Sequence, residues 1–146
     1  MWASSLSHNG LTGCGKEKLM PAHKLSHDFS GIYDNIAHAA GLSVLFPAWA
    51  KYVYKHSVYK FAQLATRVWG IDMNFEKPEE TALAGIEAMK NYFASLGMPV
   101  TMKELGIKAE DYEEIVNMTT DNGSKEIISY IPLTKEDILK IYKLAE

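Results

Sequence analysis

The feature that most constrains this sequence is the way glycine and proline divide it into short segments with helical spacing. Between Val58 and Trp69, apolar residues recur every three or four positions, which places them on one face of a helix that Gly70 ends. The segment that begins at Pro78 has the same period, an acidic first turn and a stop at Gly97. We expect its buried face to consist of Ala82, Leu83, Ile86, Met89, Tyr92, Phe93 and Leu96. Such segments predict a helical protein.

The remaining glycine and proline residues predict further helices before and after these two segments. We expect helices over about 2–13, from Pro21 to about Gly31, from Asn35 or Ile36 to Lys55, over 108–120 and over 134–144. Pro47 lies inside the third of these, so we expect a kink there or a restart near Phe46. Thr134 and Asp137 have the spacing of a capping box. The strand-like run 126–131 has no obvious partner, and the predicted fold class is therefore all-α.

Composition and charge exclude several classes of function. The chain has 146 residues, the size of one domain, and its 15 Lys and Arg against 18 Asp and Glu leave a net charge of -3. There is no basic surplus with which to bind nucleic acid. The most apolar stretch, 36–53, is interrupted by charged and helix-breaking residues and is too short to span a bilayer. The single cysteine, Cys14, excludes an internal disulfide and favours a reducing compartment, so we expect a cytoplasmic protein with no membrane or nucleic-acid partner.

Histidines are concentrated near the start of the chain. His23, His27 and His38 fall in one window of 16 residues. His23 and His27 are four residues apart on a predicted helix, so their side chains project from the same face, and His38 follows at the start of the next helix. Neutral imidazole binds Zn, Fe, Cu or Ni, and Asp28 and Asp34 are close enough in sequence to act as ligands or to orient the rings.

This spacing by itself leaves two interpretations open, namely metal ligands or histidines with capping, surface or core roles. One class of metal site is disfavoured. Lys24 stands where the His-Glu-x-x-His motif of zinc peptidases has its catalytic glutamate, so a self-contained peptidase is not expected.

The segments that carry the histidines resemble the iron-containing (group III) alcohol dehydrogenases, and in particular their NAD(P)H-dependent butanol dehydrogenase branch. The resemblance rests on residues 21–34, PAHKLSHDFSGIYD, and 38–49, HAAGLSVLFPAW, and it extends to 2–6 upstream and 93–99 downstream. The family patterns are H-x-x-x-H-x-L-S-A-x-Y-D and H-G-A-G-L-A-x-x-x-P.

The sequence departs from these patterns at two places. Ala39 replaces the usual glycine, and one extra residue separates His23 from His38, which would rotate His38 by about 100° unless the loop absorbs it.

The resemblance implies a two-domain enzyme, in which an N-terminal α/β domain binds NAD(P) and a C-terminal helical domain binds a divalent metal in the cleft between them. Residues 1–146 resemble the multi-helical C-terminal domain of this dehydroquinate synthase-like fold, and the N-terminal nucleotide-binding domain is not included. By resemblance, His23 and His38 are metal ligands. His27 would then be a catalytic and cofactor-contacting residue beside the metal and the nicotinamide, where it handles a proton or places the substrate. Iron is the metal the resemblance favours, with zinc and nickel as alternatives.

The implied reaction is hydride transfer between NAD(P)H and an aldehyde or primary alcohol. We expect the chain to be the C-terminal portion of such a dehydrogenase, to form a homo-oligomer, in the first instance a dimer, and to be inactive by itself, because the family's upstream Asp and His ligands and its cofactor site have no counterpart here. The alternative is a noncatalytic helical association module whose histidines are relics.

Overall fold

The computed structural model describes residues 1–15 and 19–146, and within these ranges the chain is built from helices. They are α1 (Trp2–His8), α2 (Pro21–His27), α3 (Phe29–Ile32), α4 (His38–Val53), α5 (Val58–Trp69), α6 (Pro78–Ser95), α7 (Met102–Leu105), α8 (Tyr112–Thr120) and α9 (Lys135–Leu144). Short 3₁₀ turns occur at Leu11–Gly13, Tyr54–Ser57 and Ala109–Asp111. The run 126–131 makes one isolated antiparallel bridge, between Ile127 and Leu133. The all-α class is confirmed, and no described helix is long and apolar enough to cross a membrane.

Three helix boundaries follow the local sequence signals. α5 begins and ends at the predicted residues, and Gly70 closes it in the left-handed conformation with φ 67°. Pro78 is the first residue of α6, where its missing N–H is not needed. At the start of α9, Thr134 accepts a hydrogen bond from the N–H of Asp137, whose carboxylate accepts one from the N–H of Thr134 in return. The predicted capping box is therefore present.

The central helix, α4, differs from the prediction. It begins at His38 rather than near Asn35, and it continues through Pro47 without interruption, so the predicted restart near Phe46 is wrong. Pro47 itself is buried, as are Val44 and most of its other neighbours on this helix. Burial on nearly all sides holds the helix together across the one hydrogen bond that proline cannot donate.

The core forms where α4 packs against α2, α6 and α9. Its largest fully buried side chains come from segments far apart in the sequence and include Leu25, Phe29, Leu45, Met102, Ile115, Leu133, Ile138, Ile141 and Tyr142. Each such side chain stabilises the fold by roughly 1.5–3 kcal/mol relative to exposure. A close approach joins α5 to α6, because a Cβ atom on Gly85 would lie 2.4 Å from the Cβ of Ala65. α2 packs against α4 and is therefore held on this core.

The face predicted for α6 is only partly correct. Ala82, Ile86 and Met89 are buried, whereas Tyr92 is 48% exposed and Leu96 is 60% exposed. Leu83 and Phe93 are half-buried, and near the end of the helix Phe93 packs against the core whereas Tyr92 and Leu96 are largely exposed. Leu96 instead borders a surface groove between α6, α2 and α4.

Candidate metal centre

The structure brings His23, His27 and His38 together at one point on the surface. His23 and His27 project from α2, and His38 is the first residue of α4. One nitrogen from each ring lies within 4.8 Å of the others. The closest pair is Nε2 of His38 and Nδ1 of His23, which are 3.0 Å apart and hydrogen-bonded. We call these three residues the histidine cluster.

Packing on the opposite face fixes the orientation of α2. Leu25 is fully buried, and Ser26 is buried with its hydroxyl donating a hydrogen bond to the carbonyl of His23 at 2.9 Å. His23 and His27 lie on the side of the helix opposite these two buried residues, and their rings therefore face outward. The position of α4 depends on Gly41, where a Cβ atom would lie 3.2 Å from that of Ser26. A side chain there would require its neighbours on α2 to give by a few tenths of an ångström, so Gly41 allows the close approach of α4 to α2.

The loop between α3 and α4 carries the one extra residue noted in the sequence. The Tyr33 hydroxyl donates a short hydrogen bond to Oδ2 of Asp111 and accepts one from the N–H of Lys108 at 3.3 Å. Further along, Ile36 is buried, and its N–H donates to the carbonyl of Tyr33 at 3.3 Å. The loop is held at both places, and at its end His38 lies beside His23.

The candidate carboxylates lie outside the histidine cluster. Asp28 accepts a hydrogen bond from the hydroxyl of Thr119 at 2.7 Å, which ties the end of α2 to α8. Asp34 is exposed in the loop. No local sequence pattern predicts the contacts made by Thr119 or Asp111, because these residues lie more than 70 positions away from their partners.

The surroundings of His23 suit a cation-binding site. Burial and then the neighbouring imidazoles of His27 and His38 lower the pKa of His23 below its ordinary value. A lowered pKa favours the neutral ring, whose free nitrogen lone pair is what binds a metal. Three imidazoles at these separations form a donor set that fits Zn, Fe, Cu or Ni. His27 and His38 are exposed, so an ion and a small substrate have access.

An apolar groove adjoins the cluster and encloses about 580 Å³. Its walls are the start of α2, one face of α4 and the last turn of α6. The lining residues are Leu19, Met20, Pro21, Ala22, His23, Ala39, Leu42, Ser43, Phe46, Trp49, Phe93, Leu96 and Met98. His23 belongs to both the groove and the cluster.

Comparison with known proteins gives consistent results. The model of the C-terminal region of the Fe-containing alcohol dehydrogenase family matches residues 3–145. The NADH-dependent butanol dehydrogenase A of Clostridium acetobutylicum is 38% identical over 144 residues, which is 98% of this chain. The crystal structure of NADH-dependent butanol dehydrogenase A from Thermotoga maritima superposes on 99% of the chain with a TM-score of 0.88 and 34% identity. The NADPH-dependent aldehyde reductase YqhD of Escherichia coli is 26% identical over 99% of the chain.

The match covers a limited part of these relatives. The chain spans 36% of the length of the Clostridium enzyme and 37% of the Thermotoga and Escherichia proteins.

Proposed function

This chain belongs to the Fe-containing alcohol dehydrogenase family, and we propose that it is the metal-binding helical part of an NAD(P)H-linked enzyme that interconverts aldehydes and primary alcohols. The observation that carries the proposal is the histidine cluster, which combines three imidazoles at one accessible point. Support comes from its relatives, which are butanol dehydrogenases and an aldehyde reductase.

In this proposal, His23 and His38 hold a divalent metal. Iron is the metal we favour because the family is named for it. Zinc and nickel bind the same nitrogen donors. When bound, the metal supplies Lewis-acid polarisation of the substrate oxygen. The residues of the chain bind the metal and hold its ligands in position. His23, held neutral by its surroundings, offers its lone pair, and the packing of α4 on α2 keeps His38 beside it.

His27 has a different role in the proposal. Its ring centroid lies 4.5 Å from that of His23 and 5.1 Å from that of His38, so it is close to the proposed metal position. An exposed imidazole at that place can give or take the proton of the alcohol oxygen, or place the substrate beside the nicotinamide. The family resemblance of this segment, in which the second histidine lies beside the metal and the nicotinamide, assigns His27 the catalytic and cofactor-contacting role in the proposal.

The NAD(P) site is assigned to a separate nucleotide-binding domain. No strand followed by a glycine-rich turn occurs in 1–15 or 19–146, and such a unit is what seats a dinucleotide. We accordingly propose that the isolated 146 residues bind metal but do not transfer hydride. Small alcohols and aldehydes are the proposed substrates, and the net charge of -3 argues against nucleic acid. A cytoplasmic location and a homodimer remain part of the proposal.

Metal binding is the direct test. The purified chain is titrated with Co(II) or Zn(II) in competition with a chromophoric chelator, with His23→Ala and His38→Ala as the variants. Each substitution should weaken metal binding by more than the roughly 10- to 100-fold loss that follows mutation of a residue that only supports a metal ligand. His56→Ala is the matched control, because His56 is an exposed histidine in a 3₁₀ turn outside the cluster.

Unchanged metal uptake in both cluster variants would contradict the metal site and favour a noncatalytic association module. The proposed inactivity is tested separately, by a steady-state assay with NADPH, butyraldehyde and added Fe(II) or Zn(II). Turnover by the isolated chain, above that of the His23→Ala variant, would show that hydride transfer needs no further domain.

A further inference from the structure

We propose that Thr119 and Tyr142 are positioning residues for the histidine cluster, and that they act by holding the last turn of α2 through their hydroxyl groups. Neither residue belongs to the cluster, and they come from α8 and α9. We call these two hydroxyl groups the hydroxyl clamp. The inference rests on the proposed function, because it names the residues that keep the proposed metal-binding side chains in place.

The helix that carries His23 and His27 is too short to be stable alone. α2 has seven residues, which is about two turns, and an isolated helix of that length is not stable in water. Met20, at its N-terminal cap, makes no side-chain hydrogen bond to it. The position of α2 therefore depends on other helices. Packed helices can still slide past one another by small amounts, and directional hydrogen bonds limit such movement.

Thr119 holds the residue that directly follows His27. Its hydroxyl oxygen lies 2.7 Å from Oδ2 of Asp28, which is the C-terminal cap of α2. Because an ionised carboxylate only accepts hydrogen bonds, the Thr119 hydroxyl is the donor, and such a bond is roughly twice as strong as one between neutral groups. The same oxygen lies 3.0 Å from the carbonyl of Ile115, one turn earlier in α8, which favours one rotamer of the threonine.

Tyr142 holds the same end of α2 from inside the core. Its hydroxyl donates to the carbonyl of Leu25 at 3.4 Å, which makes this the weaker of the two bonds. Leu25 is among the last four residues of α2, whose carbonyls have no partner within the helix. Tyr142 is fully buried, and its ring centroid lies 5.7 Å from that of Phe29. Burial raises the pKa of Tyr142, so its hydroxyl keeps its proton and remains a donor.

The anchored residues alternate with the histidines along α2. Leu25 lies between His23 and His27, and Asp28 follows His27 directly. A rotation of α2 that broke the clamp would therefore carry both imidazoles away from His38, whose Nε2 lies 3.0 Å from Nδ1 of His23. α9 also packs against α4, the helix that begins at His38. Through Tyr142, the clamp thus relates the two helices that carry the cluster.

The first test needs no metal. The imidazole signals of the metal-free 146-residue chain are recorded by two-dimensional NMR in Thr119→Val, which keeps the shape of the side chain and removes its hydroxyl. We expect the signals of His23, His27 and His38 to move, and those of His56, an exposed histidine outside the cluster, to stay. Thr119→Ser keeps the hydroxyl and loses a methyl group. It should retain the wild-type signals, whereas a simple packing role would give the opposite order.

Two further variants complete the set. Thr66→Val is the matched control, because Thr66 is half-buried and its hydroxyl donates to the carbonyl of Gln63 within α5, at 3.1 Å, without touching α2. It should leave the cluster signals unchanged. Tyr142→Phe keeps the buried ring and removes the other hydroxyl of the clamp, so it should move the same signals as Thr119→Val. If circular dichroism shows that Thr119→Val does not fold, Tyr142→Phe decides the test.

Metal binding is the second readout. Thr119→Val and Tyr142→Phe should each bind Co(II) about tenfold more weakly than the wild type, with a changed visible absorption spectrum. Thr119→Ser and Thr66→Val should match the wild type. If the wild-type chain binds no Co(II) and the cluster signals still move as expected, the proposed function fails and the positioning role stands.

Three results in the metal-free protein would overturn the inference. They are cluster signals that stay unchanged in both Thr119→Val and Tyr142→Phe, equal movement in Thr119→Val and Thr66→Val, and equal movement in Thr119→Val and Thr119→Ser. Unchanged Co(II) affinity in both clamp variants, with binding in the wild type, would also overturn it and would leave the proposed metal site intact.

Discussion

The Nε2 atom of His38 lies 3.0 Å from the Nδ1 atom of His23, although the two residues are fifteen positions apart in the chain. One of these nitrogens must carry a hydrogen and the other must accept it. A metal ion bound by both nitrogens would replace this hydrogen bond. The proximity of the two rings depends on the loop and helices that hold them in place.

Tyr33 is predicted to control metal affinity from a distance. Tyr33→Phe removes the hydrogen bonds to Asp111 and Lys108 and frees the loop that leads to His38, so affinity for Co(II) should fall about tenfold, with a changed visible absorption spectrum. Tyr52→Phe is the control, because Tyr52 donates a comparable hydrogen bond to Asp137, at 2.6 Å, away from the cluster. Equal losses in both variants would show a general effect of stability rather than positioning.

Gly85 is predicted to be required for the contact between α5 and α6. In Gly85→Ala the new Cβ atom meets the Cβ of Ala65 at 2.4 Å and its Cα at 2.8 Å, so the helices must separate, at a cost of about 1–3 kcal/mol in the free energy of unfolding. Urea denaturation measures this cost, and adding Ala65→Gly should restore part of it. Gly31→Ala is the matched control, since only the flexible end of Met118 lies near, and it should change stability by less than about 1 kcal/mol. A Gly85→Ala variant as stable as the wild type would refute the close packing.

Tyr52 is predicted to make the fold sensitive to alkali. Burial, followed by the hydrogen bond to Asp137, raises the pKa of Tyr52 to about 12 from an ordinary value of 10.0. The folded state therefore favours the protonated phenol. This contribution is fully present below pH 10 and is lost as the pH rises towards 12. Stability measured across that window should fall less steeply in Tyr52→Phe than in the wild type, and an identical slope would argue against the contact.

His23 is predicted to make the metal-free protein sensitive to acid. Its pKa is lowered in the folded state, first by burial and then by His27 and His38, so the unfolded chain takes up the proton more readily. The resulting stability is present above the ordinary histidine pKa of 6.5 and is lost as the pH falls below it. His23→Gln should flatten this part of the profile in thermal unfolding at several pH values. His56→Gln, at an exposed site, should leave it unchanged.

Local signals predicted most of the helices, because their causes lie within a few residues. Gly70, Pro78 and the pair Thr134 and Asp137 act through bonds to near neighbours, and the structure confirms each of them. The restart predicted near Phe46 was wrong because the penalty of a proline is local, whereas the burial that outweighs it comes from distant parts of the chain. Tyr92 and Leu96 were misplaced for a related reason. Helical period identifies an apolar face, but it does not say where along the helix the neighbouring elements end.

By itself, the sequence determined the all-α class, the family and the spacing of His23 and His27, since two residues four apart on a helix share a face whatever surrounds them. Only the tertiary structure decided that His38 meets them. That meeting depends on the Tyr33 contact across 78 positions of sequence and on the close approach that Gly41 allows between α4 and α2. The groove that ends at His23 is likewise a product of three helices. Contacts between distant segments follow from the packing of the whole core, which no local pattern encodes.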